Sequence, residues 1–173
     1  MAQVSSRRET KTIEFTPPDV VGVARVLSEL RAAGSGWVNL QPGIDEDAVD
    51  VDPPTGLFAF FGNRAPPVTM ATIMPPKPER REAEGMTVGL MHPTGAKAVA
   101  RLAEVGVAVP DGWVVRQDHV RRGLVLRTPV GAVESDVVTW CVRAGTALCR
   151  ADMTGQWRAV VYLPEGARQR PSR

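Results

Sequence analysis

The sequence predicts an α+β domain in which an antiparallel or mixed sheet of six or seven short strands carries about three helices, packed mainly on one face. Three segments have apolar residues at the three- and four-residue spacing of a helix. The other apolar runs have strand length and follow one another in groups, instead of alternating one by one with helices. With 173 residues, of which 43% are hydrophobic, the chain can build one domain with its own core.

The first half of the chain predicts one helix and three strands. We expect a flexible arm over 1–15 and then a helix over 17–33, with Thr16 as its cap and Pro17 in its first turn. The Pro-rich and charged segment 75–85 predicts a mobile surface loop. Strands are predicted at 36–41, 56–62 and 68–74.

The second half predicts two helices and four strands. One helix lies over 95–105, with Thr94 as its cap and Gly106 as its left-handed end residue, and the other over 134–149. Strands are predicted at 86–91, 113–117, 124–128 and 157–163. A single domain over 16–165 results, followed by a basic tail, 166–173, that we expect to be disordered.

Composition and charge narrow the classes of function. The net charge of +2 is too small to indicate nucleic-acid binding, and no RNP-like aromatic pair or helix-turn-helix signature is present. No apolar run approaches the roughly 18 residues of a membrane span, and the N-terminus lacks the apolar region of a secretion signal. Cys141 and Cys149 lie too far apart on one predicted helix for a disulfide, which predicts reduced thiols and a cytoplasmic location. The excess of Arg over Lys is typical of a GC-rich genome, so we expect a bacterial source.

The junction of strand 86–91 with the helix over 95–105 is the candidate for a small ligand. Backbone N–H groups at a helix start, helped by Thr94 and Lys97, can hold an anion, with Gly95 in the turn and His92 close by. The glycine spacing of a phosphate-binding loop or a dinucleotide fingerprint is absent, so a plain capped helix is the competing interpretation.

The stretch between strands 113–117 and 124–128 places Asp118 and His119 side by side near a turn. Neighbours on a strand point to opposite faces, so a hairpin tip is favoured over a catalytic dyad. The charged residues of this stretch form a candidate partner surface or, alternatively, protect a sheet edge. That surface comprises Arg116, His119, Arg121 and Arg122.

The remaining motifs supply no catalytic or metal chemistry. Two His and two Cys do not assemble a zinc site, no G-x-S-x-G elbow occurs, and the acidic segment 45–56 lacks EF-hand spacing, so no metal or cofactor is predicted. Our hypothesis is a cytoplasmic, non-enzymatic protein-interaction or regulatory domain. The alternative is a small-molecule or anion-binding protein or an enzyme, centred on His92 to Lys97.

The partner is predicted to be another protein or a second copy of the chain, with a homodimer favoured. Segment 45–56 carries five acids and no base, whereas segment 92–131 carries six bases and three acids, so the two can meet across a two-fold axis. Gly22 and Gly145 lie inside predicted helices, which points to a close helix approach within one subunit or between two.

Overall fold

The computed structural model describes residues 10–45 and 68–163, and in these ranges the α+β class is confirmed. Seven strands form one antiparallel sheet, and three α-helices accompany it. The strands are β1 (Thr10–Phe15), β2 (Trp37–Ile44), β3 (Met70–Met74), β4 (Thr87–Met91), β5 (Val114–His119), β6 (Gly123–Arg127) and β7 (Met153–Tyr162). The helices are α1 (Val21–Ala33), α2 (Ala98–Glu104) and α3 (Glu134–Leu148).

The strand order is β1-β7-β2-β3-β4-β6-β5, so the last strand lies between the first two. Alternate residues of the central strands are buried, as with Val38 and Leu40 in β2, and they face the helices. Helix α3 packs on β2 and β3 and contacts both other helices, while α2 reaches β6. All three helices therefore share one hydrophobic core on one face of the sheet. None of the helices in the described ranges combines the length and apolar character that crossing a bilayer requires.

Three of the sequence predictions fall outside the described residues. They are the strand at 56–62, the acidic segment 45–56 except Asp45, and the tail 166–173.

The N-terminal arm is predicted wrongly for its last six residues. Thr10–Phe15 form β1, which pairs with β7 from Thr10 opposite Tyr162 to Phe15 opposite Trp157. Only Ile13 and Phe15 pack against the core. Two apolar residues make too weak a pattern to indicate a strand, and the order of β1 comes from its pairing with β7.

The predicted starts of α1 and α2 are also wrong. Helix α1 begins at Val21 rather than Pro17, because a residue that precedes proline, as Pro17 does, is disfavoured in helical conformation. Its first turn is held by Asp19 Oδ1, which accepts the N–H of Val21 at 3.2 Å, and not by Thr16. Helix α2 begins at Ala98, because Lys97 adopts a left-handed conformation with φ of 64°.

Segment 75–85, for which the sequence predicts a mobile surface loop, makes contacts with distant parts of the chain. It contains a short 3-10 helix, Pro78–Arg80. Arg81 Nη2 donates to the Ala32 carbonyl at 2.7 Å, and Glu84 pairs with Arg127 of β6 at 2.8 Å. Two of the charged residues that indicate a solvated loop, Arg81 and Glu84, thus have partners far along the chain.

The close approach permitted by Gly145 lies inside the subunit. A Cβ at this position would stand 2.7 Å from the Trp157 ring of β7, and the Gly145 carbonyl accepts the Thr69 hydroxyl at 2.7 Å. A Cβ at Gly22 would meet only Ile13, at 3.9 Å. Neither glycine therefore argues for a second subunit.

Candidate functional site

Asp118 joins the two regions that the sequence singles out separately. It lies near the end of β5, where its Oδ1 accepts the N–H of Ala98 and its Oδ2 accepts the N–H of Val99, both at 3.1 Å. The start of α2 is therefore capped by a carboxylate from β5. The β4-to-α2 junction and the β5–β6 hairpin tip consequently lie side by side at one end of the sheet. We call residues 92–101 and 116–123 together the basic end.

The capping by Asp118 changes the interpretation of the junction. The N–H groups of Ala98 and Val99, which the anion hypothesis requires, already donate to a carboxylate of the chain itself. Thr94, the predicted cap, shares a hydrogen bond with His92 Nδ1 at 3.0 Å instead. Gly95 and Lys97 form the left-handed turn that leads into α2. Two N–H donors at the start of α2 are thus satisfied within the chain.

His92 is a buried imidazole at the end of β4, with 3% of its surface exposed. Its Nε2 atom is sealed from solvent and has no hydrogen-bond partner. Burial lowers the pKa of His92, nearby Asp118 opposes this, and Arg101 reinforces it. Burial therefore favours the neutral form of the ring, and its Nε2 atom does not reach solvent.

The hairpin tip, Val120–Arg122, is confirmed as a turn and is held rigidly by the side chains around it. His119 Nδ1 accepts the N–H groups of Arg121 and Arg122, at 3.1 and 3.3 Å. Gln117 Nε2 donates to the Arg122 carbonyl at 3.1 Å. Because both Asp118 and His119 are engaged by backbone groups, they do not form a catalytic dyad. The tip has a fixed backbone with arginine side chains directed to solvent.

Gly123 closes the turn with φ of 74°, a left-handed conformation that favours glycine. A Cβ here would lie 2.4 Å from the Leu90 carbonyl oxygen of β4. The end of the tip therefore contacts β4, the strand that precedes the junction, and this contact joins the two halves of the basic end.

Five exposed cationic side chains belong to the basic end, and within the described ranges none of them makes an ion pair. A Cβ at Gly95 would lie 3.9 Å from both Arg101 Nη1 and Val120 Cγ2, which brings α2 and the tip together. Elsewhere, arginines such as Arg31 and Arg158 pair with Glu134 and Glu14. The unpaired side chains are Lys97, Arg101, Arg116, Arg121 and Arg122.

The residue types at the basic end were all visible in the sequence, but the role of Asp118 was missed. Local spacing assigned it to the hairpin turn, whereas its partners lie about twenty positions earlier in the chain. No local pattern signals a cap that comes from a distant strand.

Two concave surfaces formed by described residues lie away from the basic end. The larger one, about 550 Å³, runs beside α3 and has mainly apolar walls that include Val105, Met153 and Trp157. Its basic side chain, Arg143, donates to the Gly106 carbonyl at 3.1 Å.

Cys141 and Cys149 are free thiols. Cys141 is buried in α3, where burial raises the pKa of its thiol, and it forms no disulfide with Cys149. Within residues 10–45 and 68–163, no three His, Cys, Asp or Glu side chains gather as metal ligands would. Comparison of the chain with family models, with curated proteins and with solved structures finds no match.

Proposed function

We propose that the protein is a non-enzymatic interaction domain whose basic end binds an acidic segment of a partner protein. The observation that carries the proposal is a group of five exposed cationic side chains at the hairpin tip, on the adjoining β5 and in or just before α2, none of which has an ion pair among the described residues. Guanidinium groups bind carboxylates through two parallel hydrogen bonds, so arginines without internal partners are suited to acidic peptides. A cytoplasmic location and a bacterial source complete the proposal, on composition alone.

The form of the basic end favours a protein partner over a small anion or a nucleic acid. Its cations are spread over an exposed surface, and the helix N–H groups that would grip a phosphate are taken by Asp118. Residues 92–101 and 116–123 include no Phe, Tyr or Trp on which bases could stack. An extended acidic segment can contact several of these arginines at once.

The test is the binding of a fluorescent polyglutamate peptide to the full chain, followed by anisotropy at low salt. We expect saturable binding and a Kd at least tenfold weaker for the double variant Arg121→Glu, Arg122→Glu, which corresponds to about 1.4 kcal/mol or more. The control is Arg25→Glu, Arg150→Glu, which makes the same change in net charge at exposed positions away from the basic end. Equal weakening by the two double variants would refute the proposal.

A thermal-shift series separates this proposal from the anion-binding alternative. Inorganic phosphate, nucleotides and small metabolites are tested one class at a time with the full chain. A ligand that binds only the native state raises the unfolding temperature by mass action. We expect no reproducible rise with any of them, and a rise of several degrees with one class would favour the alternative.

A further inference from the structure

Among the strands that the structure describes, β5 lies at the end of the sheet and pairs with β6. The N–H and C=O groups on its outer edge have no strand partner among these described strands. Within the described ranges, Val114–His119 also make no backbone hydrogen bonds outside the sheet. An open edge of this kind is a template for an additional strand from another chain.

The two edges of the sheet differ in the side chains that they expose. At the opposite edge, Ile13 and Phe15 of β1 pack against the core. Along β5, by contrast, Val114 and Val115 are 48% and 43% exposed. Successive side chains of a strand point to opposite faces, so an incoming strand would find an apolar contact on each face of β5.

The charge at this edge selects the kind of strand that can be added. Arg116 lies at a bulge between Val115 and Gln117, and Arg121 and Arg122 follow at the tip. Antiparallel pairing of β5 with a second β5 across a two-fold axis near its middle would bring Arg116 close to its own copy, which is repulsive. A segment that carries carboxylates would instead be attracted to these arginines.

We infer that β5 accepts an extended segment in which acidic residues alternate with apolar ones. The backbone of that segment pairs with the outer edge of β5, its apolar side chains contact Val114 on one face, and its carboxylates bind Arg116 and the tip arginines. The bulge at Arg116 limits the paired stretch to a few residues. This inference rests on the proposed function and specifies how the acidic partner binds.

Two fluorescent peptides of the same alternating Glu and Val sequence test the inference with the full chain. In one of them, successive central amides are N-methylated, which removes the backbone donors without changing charge or side chains. We expect the unmethylated peptide to bind at least tenfold more tightly. Equal, salt-sensitive affinities would overturn strand addition while leaving the proposed function intact, whereas failure of both peptides to bind would overturn the proposed function.

A single substitution in β5 distinguishes strand addition from electrostatic attraction, because the two predict changes in peptide affinity of opposite sign. Val114→Lys adds a positive charge but removes an apolar contact, so strand addition predicts weaker binding of the alternating peptide. Purely electrostatic attraction predicts tighter binding. The control is Val130→Lys, at a position of similar exposure outside the strands, and it should not weaken binding. Tighter binding by both variants would contradict the inference.

Hydrogen exchange reports on the strand itself. With the unmethylated peptide bound, we expect slower exchange of amides within Val114–His119 and no change within Thr10–Phe15 of the opposite edge. Bound peptide without added protection in β5 would overturn the inference.

Discussion

Asp118 shows how a single side chain can determine the layout of a surface. Its two carboxylate oxygens accept hydrogen bonds from the first N–H groups of α2, and this contact keeps the hairpin tip beside α2. Thr94 fails as a cap because the left-handed Lys97 delays the helix to Ala98. The sequence contained both residues, but their roles depend on a contact between distant parts of the chain.

Loss of the Asp118 carboxylate should destabilise the fold. We expect Asp118→Ala to lower the free energy of unfolding by about 1 to 2 kcal/mol, because two helix N–H groups lose their acceptor. Urea denaturation measures the change. Asp111→Ala, at an exposed position for which the structure shows no hydrogen bond or ion pair, is the control and should stay within about 0.5 kcal/mol of the wild type. Equal effects of the two substitutions would contradict the capping role.

The buried His92 should make stability depend on pH. Its pKa is lowered in the fold, so below about pH 6.5 the unfolded chain binds the proton that the folded chain refuses. The stability that the neutral ring provides is thus complete above that pH and is lost as the pH falls toward the folded pKa. We expect the free energy of unfolding to fall more steeply from about pH 7.5 to about pH 5 in the wild type than in His92→Gln. Parallel curves from urea denaturation would count against this account.

At the scale of elements, packing decides whether a helical glycine can be replaced. Gly145 faces Trp157 at a distance that leaves no room for a Cβ, whereas Gly22 has only an ordinary contact with Ile13. We expect Gly145→Ala to cost about 1 to 3 kcal/mol through overpacking. Gly22→Ala should stabilise the protein by up to about 1 kcal/mol, since alanine is the better helix former. Thermal or urea unfolding of both variants checks the signs, and a shared sign would be inconsistent with the described packing.

The elements that the sequence predicts well are those with a strong pattern of their own. Strand β2 shows clear alternation, and the apolar spacing of α1 and α3 places both helices within a few residues of their observed bounds. Strand β1 was missed because its order depends on β7, at the other end of the chain. The contacts of segment 75–85 with α1 and β6 have no local sequence pattern, because these partners are distant in sequence.

At the scale of the molecule, strand order was beyond the sequence patterns. Alternation indicates which face of a strand is buried but not which strand lies beside it, so the insertion of β7 between β1 and β2 had no local signal. The same limit applies to the candidate site. The His92–Lys97 group and the Arg116–Arg122 group were each predicted, yet only the fold unites them as one surface.

In a homodimer, the acidic segment that the basic end binds would come from a second copy of the chain. Segment 45–56 has the required charge, and the basic end supplies unpaired cations. We expect light scattering at micromolar concentration and low salt to give about twice 18.7 kDa, because each contact occurs twice across a two-fold axis. High salt, or the double variant Arg121→Glu, Arg122→Glu, should return the mass to that of the monomer. A monomer at low salt would contradict the dimer and leave another protein as the partner.

The most direct test of the interaction surface is to map where an acidic peptide binds. Amide chemical shifts of the full, isotope-labelled chain are followed while unlabelled polyglutamate is added at low salt. The account predicts that the largest changes occur within residues 92–101 and 116–123 and disappear at high salt. Largest changes at Arg25 of α1 or in the basic tail 166–173, with the basic end unmoved, would contradict it.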